Sequence, residues 1–167
     1  YDTPRLDKLA SQGMRFTDFY MASPGWSASR SAMLTGCYPP RIGFEGVLFP
    51  GNAIGLDPRE QTVAKQLKQK GYATHIVGKW HCGDQPEFLP TRHGFDGYFG
   101  IPYSNDMGRQ AGRPPERQLP PLPLVRDEHV MEEQPDQRSI TERYTYESTE
   151  FIKKSAAERK PFFLYLA

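Results

Sequence analysis

A chain of 167 residues has the length of one domain on the usual scale of about 100–200 residues. Hydrophobic residues make up 37% and charged residues 25%, and no run approaches the ~18 consecutive apolar residues of a membrane-spanning helix, so a span is excluded. With 21 Lys and Arg against 20 Asp and Glu, the formal charge of +1 gives no global field to hold a polyanion, and nucleic acid is not expected as a partner.

Thr3 and Pro4, followed by Leu6, Leu9 and Ala10, read as an N-cap, a proline at the first helical position and an apolar stripe, with Gly13 as the stop. A strand is expected over 14–20. After a loop over 21–25, residues 28–35 form a short helix of small residues ended by Gly36. The stretch 37–58 is punctuated by Pro39, Pro40, Gly43, Gly46, Pro50, Gly51 and Gly55 and reads as ordered surface loop. Residues 60–70 place Val63, Ala64 and Leu67 on one helical face, and 72–77 follow as a β-rich run. A second long loop covers 78–106. The proline- and charge-rich stretch 108–138 is expected to hold little regular structure. Residues 139–156 return to helix, capped by Ser139, and 161–166 read as a buried strand. Helices alternating with apolar strands predict an α/β fold whose sheet is mainly parallel, with helices on both faces.

Three stretches carry residues suited to chemistry. In Ser27–Gly36, a helix N-terminus and the Arg30 guanidinium, placed on the first turn, suit an oxyanion. The plainer alternative is a tightly packed core helix with Arg30 in a structural ion pair. Gly78-Lys79-Trp80-His81 stands at the end of a strand, where open α/β sheets form their ligand crevice. Lys79 supplies a point charge and His81 a proton carrier; otherwise Trp80 is a core anchor with Lys79 and His81 as solvated neighbours. Gly100-Ile101-Pro102-Tyr103-Ser104-Asn105-Asp106 is a polar turn able to bind a ligand or cap the backbone. His75 and His93 read as structural, the run 126–143 as a solvated face, and Cys37 and Cys82 match neither a disulfide scaffold nor a zinc spacing.

Taken together, these segments resemble the sulfatase family, the formylglycine-dependent sulfuric ester hydrolases, and most closely its arylsulfatase A-type members. The resemblance runs along nearly the whole chain. It rests on Thr3-Pro4-Arg5-Leu6-Asp7-Lys8-Leu9-Ala10 through Phe19-Tyr20, on Ser29-Arg30, Leu34-Thr35-Gly36 and Tyr38-Pro39, and on the segments at Gly78–His81 and Gly100–Ser104. It implies an alkaline-phosphatase-like N-terminal domain, with residues 1–167 as a fragment of one catalytic domain, incomplete at both ends.

The family's chemistry is calcium-assisted attack on sulfur by the hydrate of formylglycine, an oxidised cysteine or serine. By matching positions, the resemblance implies that Arg30 holds the formylglycine, Lys79 contacts sulfate oxygens, His81 orients the hydrate or takes its proton, and Ser104 is a polar contact on the sulfate side. The oxidisable residue stands four before Arg30, and here that position is Trp26, which cannot become formylglycine. Ser27 is adjacent but out of register. The family's metal-binding aspartates and its later Asp-Asn motif fall before Tyr1 and after Ala167, so the calcium ligands are expected outside this chain. Two expectations follow: a partial chain of a sulfate-monoester hydrolase, or a catalytically inactive relative that binds a sulfated ligand. A phosphoryl-transfer hydrolase is disfavoured because no Ser or Thr occupies position 26. A small-molecule or glycan sulfate ester is the implied partner. The resemblance places such proteins in lysosomes, in the periplasm or outside cells, and leaves oligomeric state and the particular ester open.

Overall fold

The computed structural model describes residues 1–167. Helix α1 spans Pro4–Gln12 with its proline at the start, as the sequence predicts, but it buries none of its residues. The strand expected over 14–20 is not formed. Phe16, Phe19 and Tyr20 are exposed, and no neighbouring strand receives the backbone N–H and C=O groups of this run, without which a β-prone sequence has no ladder to join. Helix α2, Trp26–Thr35, ends on Gly36 at φ 71°, whose N–H donates to the Ala32 carbonyl. It begins two residues earlier than expected, which moves Arg30 from the first turn to the second.

Helix α3 is Val63–Gln69. It starts later than the apolar pattern suggests because Thr62 caps it, with Oγ1 accepting the Lys65 N–H at 3.1 Å. Strand β1, Ala73–Val77, follows. Strands β2 (Gly97–Gly100), β3 (Pro123–Arg126) and β4 (His129–Glu133) all lie in stretches read as loop. Helix α4 spans Gln137–Ala157, and β5 is Phe162–Leu166.

The five strands form one sheet in the order β4-β3-β2-β1-β5. Strands β2, β1 and β5 run parallel, with Val77 beside both Phe99 and Leu166. Strands β3 and β4 extend the sheet antiparallel, so the expectation of a mainly parallel sheet holds for its centre and is corrected at that edge. The sequence hid this hairpin because its two-residue turn is Asp127-Glu128, without the Asn-Gly or Asp-Gly signal, although Asp127 still adopts φ 56°. Pro123 is tolerated as the first residue of its strand. Strand β5, expected to be buried, lies at the other edge with Phe162 and Leu166 exposed.

Alternation along the strands separates two cores. Ile76, Tyr98, Phe163 and Tyr165 face α2 and α3 in a cluster that includes Ala28, Leu34, Ala64 and Trp80. Val77, Phe99, Leu124 and Leu164 face the side of α4, with Tyr144 packed against them. Helices therefore cover both faces, as predicted. No helix is long and apolar enough to cross a membrane.

At the C-terminal ends of the parallel strands the backbones crowd together. A Cβ built on Gly100 would lie 1.8 Å from the Gly78 carbonyl oxygen. Gly78 N–H donates to Phe99 O at 2.8 Å and Ile101 N–H to Gly78 O at 3.3 Å, so neither chain can yield without loss of hydrogen bonds. Gly100→Ala is expected to destabilise the protein by about 3 kcal/mol or more. Equilibrium urea unfolding measures this, and a change below about 1 kcal/mol would show that the two backbones can separate.

Candidate active site

The crevice at the C-terminal ends of β1, β2 and β5 is assembled by backbone bonds that continue beyond the strands. Lys79 N–H donates to Ala167 O at 3.3 Å, Trp80 N–H to Ile101 O at 3.0 Å, and His81 N–H to Pro102 O at 2.9 Å. The four residues 78–81 are thus held as an extension of the sheet rather than as free loop. Trp80 is the core anchor its plainer reading assigned: it is 0% exposed, and its Nε1–H donates to Phe88 O at 2.8 Å. His81 is not a solvated neighbour. It is only 1% exposed and holds φ 61°, a left-handed conformation that a non-glycine residue adopts only when its surroundings enforce it.

Helix α2 supplies the opposite wall. Trp26 and Arg30 are four residues apart and so share one helical face. Arg30 Nη1 donates to the Lys79 carbonyl at 2.7 Å and to the Tyr165 hydroxyl at 3.0 Å. No carboxylate pairs with it within ion-pair distance, which overturns the structural ion pair considered from sequence. The Lys79 ammonium lies 4.3 Å above the centroid of the Trp26 ring, and the His81 ring lies 5.8 Å from it, centroid to centroid. Trp26 itself is 45% exposed. Lys79 and His81 are therefore gathered around the side chain at position 26, with Arg30 one turn along the same helical face.

One backbone unit fixes two sides of this arrangement. Leu48 N–H donates to Ser27 Oγ at 3.1 Å, while its carbonyl lies 2.9 Å from His81 Nε2. A carbonyl only accepts, so Nε2 carries the proton and Nδ1 is left with a free lone pair; that atom is buried without a partner. Ser27 is fully buried in this structural bond. Ser104 is buried in a turn whose carbonyl accepts the Met107 N–H at 2.9 Å, and no hydrogen bond joins it to Arg30, Lys79 or His81.

Burial, with the Arg30 charge second, lowers the Lys79 ammonium to about 8. Burial also lowers His81 to about 4, so its imidazole is neutral at pH 7; Lys79 and Arg30 act in the same direction. The carboxylate whose charge reaches both residues is Asp106. Around position 26 there are thus two cations, a neutral imidazole with an open acceptor and one carboxylate. Such a set stabilises an oxyanion and can receive a proton. No three His, Cys, Asp or Glu side chains converge anywhere in the chain, and the two cations beside Trp26 would repel a divalent ion. The residues present do not by themselves fit calcium.

Sequence reasoning missed Leu48 and Tyr165. Leu48 acts through its backbone, and Tyr165 lies 135 residues from Arg30, so neither leaves a local signal. Asp106 was visible at the end of the polar turn.

An α/β sheet with Arg30, Lys79 and His81 gathered at the carboxyl ends of its parallel strands defines the class. The sulfatase family profile matches residues 1–167, and the chain belongs to that family. Arylsulfatase G of Homo sapiens is 37% identical over 187 aligned positions, covering 99% of this chain and 36% of that protein. Arylsulfatase A of Bos taurus is 40% identical over 179 positions, covering 99% and 35%. The crystal structure of Ps i-CgsB in complex with k-i-k-neocarrahexaose superposes with a TM-score of 0.81 at 31% identity, over 99% of this chain and 39% of that one. The chain therefore spans about a third of the length of the curated relatives it matches, and its fold is that of the sulfatases.

Burial lowers His75, His81 and His93 alike. A histidine whose folded value falls below its ordinary 6.5 binds its proton more readily when unfolded, so stability is full above that value and drains away as pH falls toward about 4. The melting temperature is expected to drop steadily from pH 7 to pH 4.5. A flat profile over that window in differential scanning calorimetry would contradict the buried, neutral state of these rings.

Proposed function

We propose that this chain is part of a sulfuric ester hydrolase of the arylsulfatase type and supplies the residues that grip the sulfate group of a small-molecule or glycan sulfate monoester. The observation that carries this reading is the convergence of Lys79 and His81 on side chain 26, with Arg30 on the same helical face. In this reading Lys79 and Arg30 balance the negative charge on the sulfate oxygens, and His81 receives a proton at Nδ1 from the group standing at position 26. Ser104 contributes from the sulfate side at the end of the β2 segment. Position 26 is where the family carries formylglycine, which supplies a geminal diol for attack on sulfur.

Trp26 itself favours a second reading for the chain as it stands. An indole carries no hydroxyl and no thiol, so the cradle remains while the attacking group is absent, and the site binds a sulfate ester without cleaving it. One experiment separates the two. The Trp26 protein is expected to hydrolyse 4-nitrophenyl sulfate at the background rate. Within a full-length parent that supplies the calcium ligands, Trp26→Cys, made in a host that oxidises this cysteine and checked for the aldehyde by mass spectrometry, is expected to turn the ester over. Turnover by the Trp26 protein would remove position 26 from the reaction. An oxidised Trp26→Cys variant without turnover would leave the binding reading in place.

The cationic grip has its own signature. Because Lys79 loses its proton near about 8, the affinity for inorganic sulfate is expected to fall as pH rises through that value, and Lys79→Arg is expected to flatten the profile. Isothermal titration between pH 6.5 and 9.5 measures both, and an unchanged slope in the variant would mean that Lys79 does not face the anion.

A further inference from the structure

Beside the cradle lies an open cavity of about 420 Å³ whose wall includes Trp26, Phe49, Asp106, Arg113, Arg117 and Leu119. Unlike Arg59, Arg92, Arg126, Arg138 and Arg143, which are engaged in ion pairs, Arg113 and Arg117 on its wall pair with no carboxylate and donate no side-chain hydrogen bond. They are nonetheless held in place by a built loop. Gln118 Nε2 donates to the carbonyls of Gln110 and Arg113 at 2.9 and 2.7 Å, and its Oε1 accepts the Gln110 N–H at 3.0 Å. Gln134 pins the other end, accepting the Arg109 N–H at 3.1 Å and donating to the Arg109 carbonyl at 3.0 Å.

The cavity thus presents an exposed indole, a second exposed aromatic ring at Phe49, one carboxylate and two free guanidiniums. The C–H face of a pyranose packs against an indole, its hydroxyls donate to a carboxylate, and planar guanidiniums recognise sulfate or carboxylate groups in bidentate fashion. An aryl ester would use the aromatic wall and leave Asp106 and both arginines without partners, which costs affinity when they are desolvated. We propose that this cavity is a saccharide subsite for a sulfated sugar bearing a second anionic substituent: one sulfate lies in the Arg30–Lys79 cradle, the ring lies on Trp26 with a hydroxyl on Asp106, and the second sulfate or carboxylate is held by Arg113 and Arg117. This inference rests on the cradle being a sulfate site and names the ligand class that the site takes.

Trp26 is one of two tryptophans, and the other, Trp80, is fully buried, so intrinsic fluorescence reports occupancy of the cavity. The probes are inorganic sulfate, N-acetylglucosamine 6-sulfate and glucosamine 2-N,6-O-disulfate, titrated at about 0.15 M salt to suppress non-specific attraction. The disulfated sugar is expected to bind about tenfold more tightly than the monosulfated one. The double variant Arg113→Gln, Arg117→Gln is expected to reduce that ratio to about twofold or less, with the inorganic sulfate affinity unchanged and the melting temperature confirming its fold. Arg117→Glu, a single surface reversal, is expected to push the ratio below one. A ratio that survives both variants overturns the subsite. Failure of inorganic sulfate to bind, or binding indifferent to Lys79→Ala, overturns the cradle instead, and the two failures are read on different probes.

Discussion

The arrangement depends on the two hydrogen bonds of one guanidinium. Arg30 leaves the second turn of α2 and ties that helix to the segment after β1, through the Lys79 carbonyl, and to β5, through the Tyr165 hydroxyl. Both acceptors are neutral. A guanidinium does not lose its proton in proteins, and no carboxylate offsets it, so the tie fixes three elements while leaving a full positive charge at the mouth of the crevice. The same charge is one of the causes that lower Lys79. A carboxylate in place of the two neutral acceptors would have held the helix equally well and cancelled the field.

Within that field, the side chain at position 26 decides what the crevice can do. The face of an indole is electron-rich, and an ammonium 4.3 Å above it gains about 0.5–2 kcal/mol depending on how far it is desolvated. An arriving anion competes with the indole for Lys79 and offers a full charge against a quadrupole, so the lysine is held ready without being neutralised. What the indole lacks is an atom able to attack. In the proposed reading, binding and bond-breaking are separable because the cations belong to other residues than the one at position 26.

How much of this the sequence disclosed follows physical lines. Helices α1, α2, α3 and α4 and strands β1 and β5 were legible because each carries its own periodic pattern, with stops such as Gly13 and Gly36. Strand β2 was hidden by Gly97 and Gly100, which read as breakers and are in fact positions where another residue's atoms approach closely: a Cβ at 97 would lie 2.5 Å from the His75 ring. The 14–20 run was over-read because β propensity says nothing about whether a partner strand is at hand. Around the site, Arg30, Lys79 and His81 were marked by their local context, whereas Leu48 acts through its peptide group and Tyr165 through a contact between distant segments. Ser104 was marked by the same kind of context, and the structure places it in a neighbouring turn without a bond to the others.

The two edges of the sheet are chemically unequal. Strand β4 closes one side with His129, Glu132 and Glu133 and a register irregularity between Leu124 and Val125, features that deter a further strand from docking. Strand β5 presents the other side, parallel to its neighbour and with the apolar Phe162 and Leu166 exposed. Although β4 also exposes Val130 and Met131, its charges and irregular register favour growth of this sheet at β5, and a lysine or proline placed there would deter a further strand.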